Sequence, residues 1–122
     1  MHDLEQRIGL DPIDVLLARR ERLVKLAASL YAVWGPFGTG EARRKSALAL
    51  AHLQVRDELG DQKATEAKVD AMARTHPTYL AFLDAMEDGR ARWLMAENDI
   101  QAVADTIHRG QALTRAYANE PR

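Results

Sequence analysis

The residues best suited to phosphate chemistry lie in a glycine-rich stretch that runs into a basic cluster, WGPFGTGEARRK, residues 34–45. Gly35 and Gly40 have the separation of the two glycines in a nucleotide-binding P-loop, G-x-x-x-x-G-K-[ST]. That loop needs a lysine and a magnesium-binding hydroxyl directly after the second glycine, and Glu41 and Ala42 stand there instead. The stretch is therefore predicted to be a turn between two helices, with its glycines at positive φ.

A basic triplet follows this turn. Arg43, Arg44 and Lys45 lie at the predicted start of a helix, where the helix dipole disfavours each cation by about 0.3–1 kcal/mol. A bound phosphate would relieve this cost, because helix amides and three cations would converge on it. The alternative is that Glu41, or acidic residues of another segment or subunit, neutralise the triplet. Phe37, between the loop glycines, either stacks on a base or seals the end of the helix pair.

A second basic cluster is predicted on the polar side of the first helix. A single charge run of this kind is usually a solvated helix face. Two clusters on one helical hairpin favour nucleic acid, which would be bound through its phosphates with little sequence preference. The candidate nucleic-acid-binding residues are Arg19, Arg20, Arg22, Lys25, Phe37, Arg43, Arg44 and Lys45.

Other kinds of functional site have little support in the sequence. The four histidines show no H-E-x-x-H motif and no paired ligand spacing, so no metal site is predicted. No serine lies in a glycine-flanked nucleophile elbow. The absence of cysteine excludes disulfides, thiolate metal ligands and cysteine nucleophiles. We expect no catalytic residues, no enzyme activity and no cofactor.

The composition is that of a small globular protein. A length of 122 residues predicts one domain, residues 1–122. With 47% hydrophobic and 29% charged residues the chain does not read as a disordered tail, and no stretch approaches the roughly 20 apolar residues of a membrane span. The first residues carry acids and lack the pattern of a secretory signal. These features predict a cytoplasmic protein without a membrane partner.

Charge is unevenly distributed along the chain, although the net charge is only −1. Residues 15–56 contain eight basic side chains and two acidic ones, whereas residues 57–88 contain three basic and eight acidic ones. A basic face and an acidic face would each suit a different partner, or would meet between subunits.

Apolar periodicity predicts helices throughout, without any strand. Asp11 followed by proline marks the start of the first helix, Gly60 the end of the second and Thr65 the cap of the third. His76, which precedes a proline, ends the third helix. The predicted fold is an all-α protein with a helical hairpin, a short helix and one long C-terminal helix, over residues 11–34, 41–59, 65–75 and 77–119.

The last helix carries an apolar seam that repeats every seven residues, and such a repeat suits packing against another helix. About 40 residues at about 1.5 Å each give a rod of about 60 Å, too long for a compact monomer of this size. Either the helix breaks near Gly89 or Gly110, or it packs against the hairpin and against other copies. We therefore expect a homo-oligomer with the seam Tyr79, Met86, Trp93, Ile100 and Ile107.

The second half of the chain resembles a known family. The stretch KATEAKVDA at residues 63–71, PTY at residues 77–79 and a long helix ending in RGQAL at residues 109–113 resemble the UvsY-like recombination mediators of phages. The resemblance implies a ring-shaped homo-oligomer that binds single-stranded DNA, helps to displace single-strand-binding protein and loads a RecA-like recombinase. It also implies no catalysis and no cofactor.

Two other classes of function remain open. One is a helical adaptor or inhibitor of phage type that binds only protein, through the acidic segment 57–88. The other is a structural subunit of a larger particle. Binding to DNA that weakens steeply with salt would favour the mediator, whereas an absence of DNA binding would favour the adaptor.

The predicted seam leads to a test of oligomerisation. Ile100→Asp would bury an unpaired charge at a cost of several kcal/mol, and should give monomers or unfolded chains. Light scattering of the parent and the variant measures the native mass. A parent mass equal to that of one chain would contradict the predicted oligomer.

Overall fold

A computed structural model describes residues 11–119, and within this range the protein is all-α. Four helices are present there and no β-strand: α1 is Ile13–Trp34, α2 is Gly40–Leu59, α3 is Glu66–Arg74 and α4 is Pro77–Ala118. The all-helical fold with a long C-terminal helix is confirmed. None of these helices is both long and apolar enough to cross a membrane.

The helix ends follow local sequence signals. The amides of Val15 and Leu16 both donate to the Pro12 carbonyl, so proline opens the first turn of α1 without losing a needed donor. Gly60 ends α2 with φ of 59° and donates its amide to two carbonyls of the last turn. The Thr65 hydroxyl caps α3 by accepting the Lys68 amide at 3.1 Å.

The loop glycines have a different role from the one predicted. Gly60 is the one residue of the described range with positive φ, so the expectation of positive φ in the loop was wrong. A Cβ on Gly38 would lie 2.6 Å from the Val33 carbonyl oxygen, and one on Gly40 would lie 2.7 Å from the same oxygen. The chain turns back so tightly against the last turn of α1 that a side chain at either glycine would clash with the backbone.

The described residues form two compact units, one of residues 11–29 with 93–119 and the other of Leu30–Arg92. Both α1 and α4 continue from one unit into the other. The prediction of a single domain stays a prediction. The first unit buries apolar side chains of both helices, namely Leu16, Ala27, Ala96 and Val103.

The core of the Leu30–Arg92 unit joins α2, α3 and the start of α4. Ala51, Val55, Val69 and Ala73 are almost completely buried, and Tyr79 packs with them at 5% exposure. Alanines at two of these positions let α2 and α3 pack closely. This core fixes the position of α2, whose first turns carry the basic triplet.

Gly89 lies inside α4 and does not break it. The helix runs without interruption from Pro77 to Ala118, so the predicted alternative of a break near a glycine is wrong. Gly89 is buried because the Trp34 indole lies against it; a Cβ there would lie 2.2 Å from Trp34 Nε1. The same indole lies at a tilt to the Phe82 ring, with centroids 6.1 Å apart. Glycine at this position leaves room for the indole.

This contact predicts whether Gly89→Ala raises or lowers the free energy of unfolding. Helix propensity alone would make Gly89→Ala stabilising by about 0.8–1 kcal/mol. Because the added methyl must displace the indole, we expect destabilisation by about 1–3 kcal/mol instead. Urea unfolding followed by helical circular dichroism measures the change. In a Trp34→Ala background, the same Gly89→Ala change should be neutral or stabilising, and destabilisation of equal size there would contradict the assigned contact.

Candidate nucleic-acid interface

The eight candidate residues lie in two different units. Arg19, Arg20, Arg22 and Lys25 lie on the part of α1 in the first unit, whereas the loop residue Phe37 and the triplet Arg43, Arg44 and Lys45 belong to the Leu30–Arg92 unit. The candidates therefore form two groups, one in each unit.

The α1 cluster is exposed and partly neutralised. Arg19 pairs with Asp11 at 3.2 Å, and Lys25 pairs with Glu21 one turn before it, also at 3.2 Å. Exposed pairs of this kind contribute little to stability, so an anion could replace them at small cost. Within residues 11–119, Arg20 and Arg22 have no ion-pair partner.

Arg44 differs from its two neighbours because protein groups hold it in place. Its guanidinium binds both carboxylate oxygens of Glu41, one turn earlier, and donates a further hydrogen bond to the Tyr79 hydroxyl at 3.1 Å. Neutralisation by Glu41, considered above for the whole triplet, is thus observed for this member. Through Tyr79, Arg44 links the start of α2 to the start of α4.

Electrostatics agree with this geometry. The pKa of Glu41 lies below its ordinary value because Arg44 donates hydrogen bonds to the carboxylate. Partial desolvation acts in the opposite direction, and the nearby charges of Arg44, Lys45 and Arg90 lower the pKa further. The pKa of Arg44 is raised by its hydrogen bonds to Glu41 and Tyr79. Both groups therefore stay charged at neutral pH.

Arg43 and Lys45 take no part in this network. Both are exposed, and neither has an ion-pair partner in the described part of the chain. Phe37 precedes them in the loop and is 91% exposed, the largest exposure among the large apolar side chains described. An aromatic ring and two unpaired cations therefore lie at the same end of α2.

The start of α2 lacks a side-chain cap. Thr39 occupies the N-cap position with helical φ and ψ, and its hydroxyl makes no capping hydrogen bond. Its amide instead donates to the Ala32 carbonyl at 3.0 Å, which closes the turn from α1. The first amides of α2 therefore have no side-chain acceptor, and the positive end of the helix dipole is left to the carboxylate of Glu41.

The five seam residues are divided between the units. Tyr79 and Met86 lie in the Leu30–Arg92 unit, and Trp93, Ile100 and Ile107 lie in the other. Tyr79 is buried in the core described above, and the other four are half-buried within the single chain. The seam thus packs largely inside its own chain, and its role in an oligomer stays a prediction.

Part of the acidic segment is neutralised internally. Three of its carboxylates contact basic side chains: Glu58 with His76, Glu66 with Arg56, and Asp70 with both Arg74 and His52. Asp57, Asp61, Asp84, Glu87 and Asp88 have no ion pair within residues 11–119. No group of three or more histidine, aspartate or glutamate side chains in that range converges as metal ligands would.

Two contacts that shape this site are not predictable from local sequence patterns. Arg44 and Tyr79 are 35 positions apart, and no local pattern links them. Gly89 is predicted only as a weak point of the last helix, whereas the structure places the Trp34 ring against it. The sequence signal for this contact is the glycine itself, because a glycine inside a long helical pattern can mark a close approach of another group.

Comparisons of the chain with models of protein families, with curated proteins and with solved structures give no match. The resemblance to the UvsY-like mediators therefore rests on the residues quoted above.

The Glu41–Arg44 pair predicts a pH dependence. A carboxylate whose pKa is lowered by folding stabilises the protein above its unfolded pKa of about 4.3, and that contribution is lost as the pH falls through the folded value. From about pH 6 to about pH 3, the urea midpoint of the parent should therefore fall more than that of Glu41→Gln. Glu87→Gln, at an exposed glutamate of α4, is the matched control and should follow the parent. Equal losses in the parent and E41Q would contradict the role given to the pair.

Proposed function

We propose that this protein binds single-stranded DNA at the N-terminal end of α2, through Phe37, Arg43 and Lys45. One observation carries the proposal: a phenylalanine that is 91% exposed lies at the same end of α2 as two cations that have no ion pair in the described residues. A ring in water loses the free energy that burial would provide, roughly 25 cal/mol per Å² of apolar surface. A stacked base would cover it, and the cations would contact the phosphates on either side.

Arg44 has a supporting part in this proposal. Because its guanidinium is held by Glu41 and the Tyr79 hydroxyl, it contributes order to the first turn of α2 rather than a phosphate contact. This order keeps Arg43 and Lys45 on a rigid helix. When DNA binds, the main loss of conformational entropy is therefore that of these two side chains.

The α1 cluster provides a second surface for phosphates. Arg20 and Arg22 are exposed without ion pairs in residues 11–119, and the exposed pairs of Arg19 and Lys25 would exchange their carboxylates for phosphates. Contacts of this kind are independent of sequence and weaken with salt. Several weak surfaces on one strand raise the overall affinity through effective concentration.

The finer role is that of a recombination mediator. As the resemblance implies, the DNA-bound protein would help to displace single-strand-binding protein and load a RecA-like recombinase as a homo-oligomer. The surfaces described above support DNA binding and not contacts with other proteins. The first experiments therefore measure DNA binding.

The charge contribution is tested with Arg43→Glu combined with Lys45→Glu. Arg44 is left intact, because its replacement would also break the link to Tyr79. Fluorescence anisotropy with a dT oligonucleotide of about 25 bases should show binding weakened at least tenfold at low salt. For single strands the salt slope should flatten by about 0.7 per lost phosphate contact. The double variant Lys63→Glu with Lys68→Glu makes the same change of charge beyond the other end of α2, and should bind as the parent does.

The stacking contribution is tested separately with Phe37→Ala. Removal of one stacked base should cost about 1–3 kcal/mol of binding free energy and leave the salt slope unchanged. Because Phe37 packs little within the chain, the urea midpoint should also remain unchanged. Parent affinity in both F37A and the R43E/K45E variant would show that DNA is bound elsewhere.

Absence of DNA binding by the parent at low salt would overturn the proposal. The protein-binding adaptor would then take its place, with the unpaired carboxylates Asp84, Glu87 and Asp88 of α4 as its first surface to examine.

A further inference from the structure

Helix α2 is apolar on two opposite sides. Its inner side contributes Ala51 and Val55 to the core, where both are almost completely buried. Leu53 stands two positions from each of them, which is about 200° around the helix axis, so it faces directly away from the core. This leucine is 66% exposed, and Leu50 beside it is 47% exposed.

The outward face continues along most of the helix without a charge. Its residues recur every three or four positions, as on one side of a helix, with two adjacent residues at the third step. All are exposed: Ala42, Ser46, Ala49 with Leu50, and Leu53. The Ser46 hydroxyl donates to the Ala42 carbonyl at 3.1 Å, so its hydrogen is already satisfied within the helix. A surface helix normally carries charged and polar side chains on the side that faces away from the core, whereas this side of α2 carries no charge from Ala42 to Leu53.

The ends of α2 carry opposite charges and indicate what covers this face. Arg43 and Lys45, which have no ion pair within residues 11–119, lie at the beginning of the helix. Asp57, also without an ion pair there, lies at the end, where its neighbour Glu58 contacts His76. Arg56, the basic residue of the last turns, is already paired with Glu66. Two α2 helices side by side would repel when parallel and attract when antiparallel, and their dipoles have the same preference.

The sizes of the side chains fit the antiparallel arrangement as well. Around a twofold axis between Ser46 and Ala49, each Ala42 meets the Leu53 of the other copy. Each Ser46 likewise meets the other copy's Ala49. Leu53, the most exposed leucine of the face, thus lies opposite an alanine, which lets the two helices pack closely there.

We propose that the outward face of α2 binds the same face of a second copy of this chain, with the two helices antiparallel. The pair has its own twofold axis and is distinct from the seam of α4. Arg43 and Lys45 stand two positions apart and so border the face on opposite sides. Phe37 lies in the preceding loop, outside the face. The dimer therefore presents two DNA surfaces, one at each end of the helix pair.

The first test measures the native mass of the DNA-free protein by light scattering over a range of concentrations. The parent should self-associate, and Leu53→Asp should raise the dissociation constant at least tenfold without loss of helical circular dichroism. Met95→Asp places the same charge at a similarly exposed apolar position of α4, where Met95 is 63% exposed, and should associate like the parent. A monomeric parent, or equal association of the parent and L53D, would overturn the proposal.

The second test measures the relative orientation of the two α2 helices by disulfide cross-linking. Because the chain has no native cysteine, the engineered cysteines are the only thiols present. Disulfides need Cα atoms about 4.4–6.8 Å apart. A mixture of Ala42→Cys and Leu53→Cys proteins should form the mixed disulfide under mild oxidation. Ala42→Cys alone should not cross-link, because antiparallel copies of residue 42 are about 16 Å apart along the axis. Efficient cross-linking of A42C alone, without the mixed product, would contradict the antiparallel pair.

These measurements contain no DNA, so their outcome is independent of the proposed function. L53D should retain DNA binding at each chain and lose only the gain in affinity that two linked sites provide on a long strand.

Discussion

The hydrogen bonds of Arg44 are the constraint on which the candidate site depends. One guanidinium binds the Glu41 carboxylate in its own helix and the hydroxyl of Tyr79, whose ring is buried in the α2–α3–α4 core. A planar guanidinium holds its donors in one rigid plane and so orients both partners, whereas the donors of an ammonium group rotate freely. The start of α2 is thereby fixed to the start of α4, and the orientation of the neighbouring cations follows from it.

The turn before α2 is held by a second close contact of a different kind. Trp34 ends α1 with its indole against Gly89 of α4, and the glycines that follow allow the chain to return across the last turn of α1. With both ends of the turn held in place, Phe37 at its tip projects into solvent. An exposed ring on a turn that is held at both ends is the physical basis for proposing Phe37 as a binding group.

Polar side chains of α2 also make contacts with α3. His52 contacts Asp70 at 2.9 Å, and Arg74 bonds to the same carboxylate, whose pKa lies below its ordinary value mainly because of that arginine and secondly because of the histidine. One side of α2 thus packs into the apolar core, next to the polar contacts of Asp70. Its first turns carry the cations, and its outward face carries uncharged side chains. α2 therefore lacks the single apolar stripe that a surface helix normally carries.

The sequence by itself determined the helices, because caps, prolines and a terminal glycine act within a few residues of the chain. Gly60, Thr65 and Pro77 bound α2, α3 and α4 much as predicted. Only the tertiary structure decided which cation is bound by the protein itself. It also shows why glycine is needed within α4. The pairing of Arg44 and the contact at Gly89 both join residues that are 35 or more positions apart. Such contacts leave no periodic trace in one sequence, because each involves a single pair of side chains.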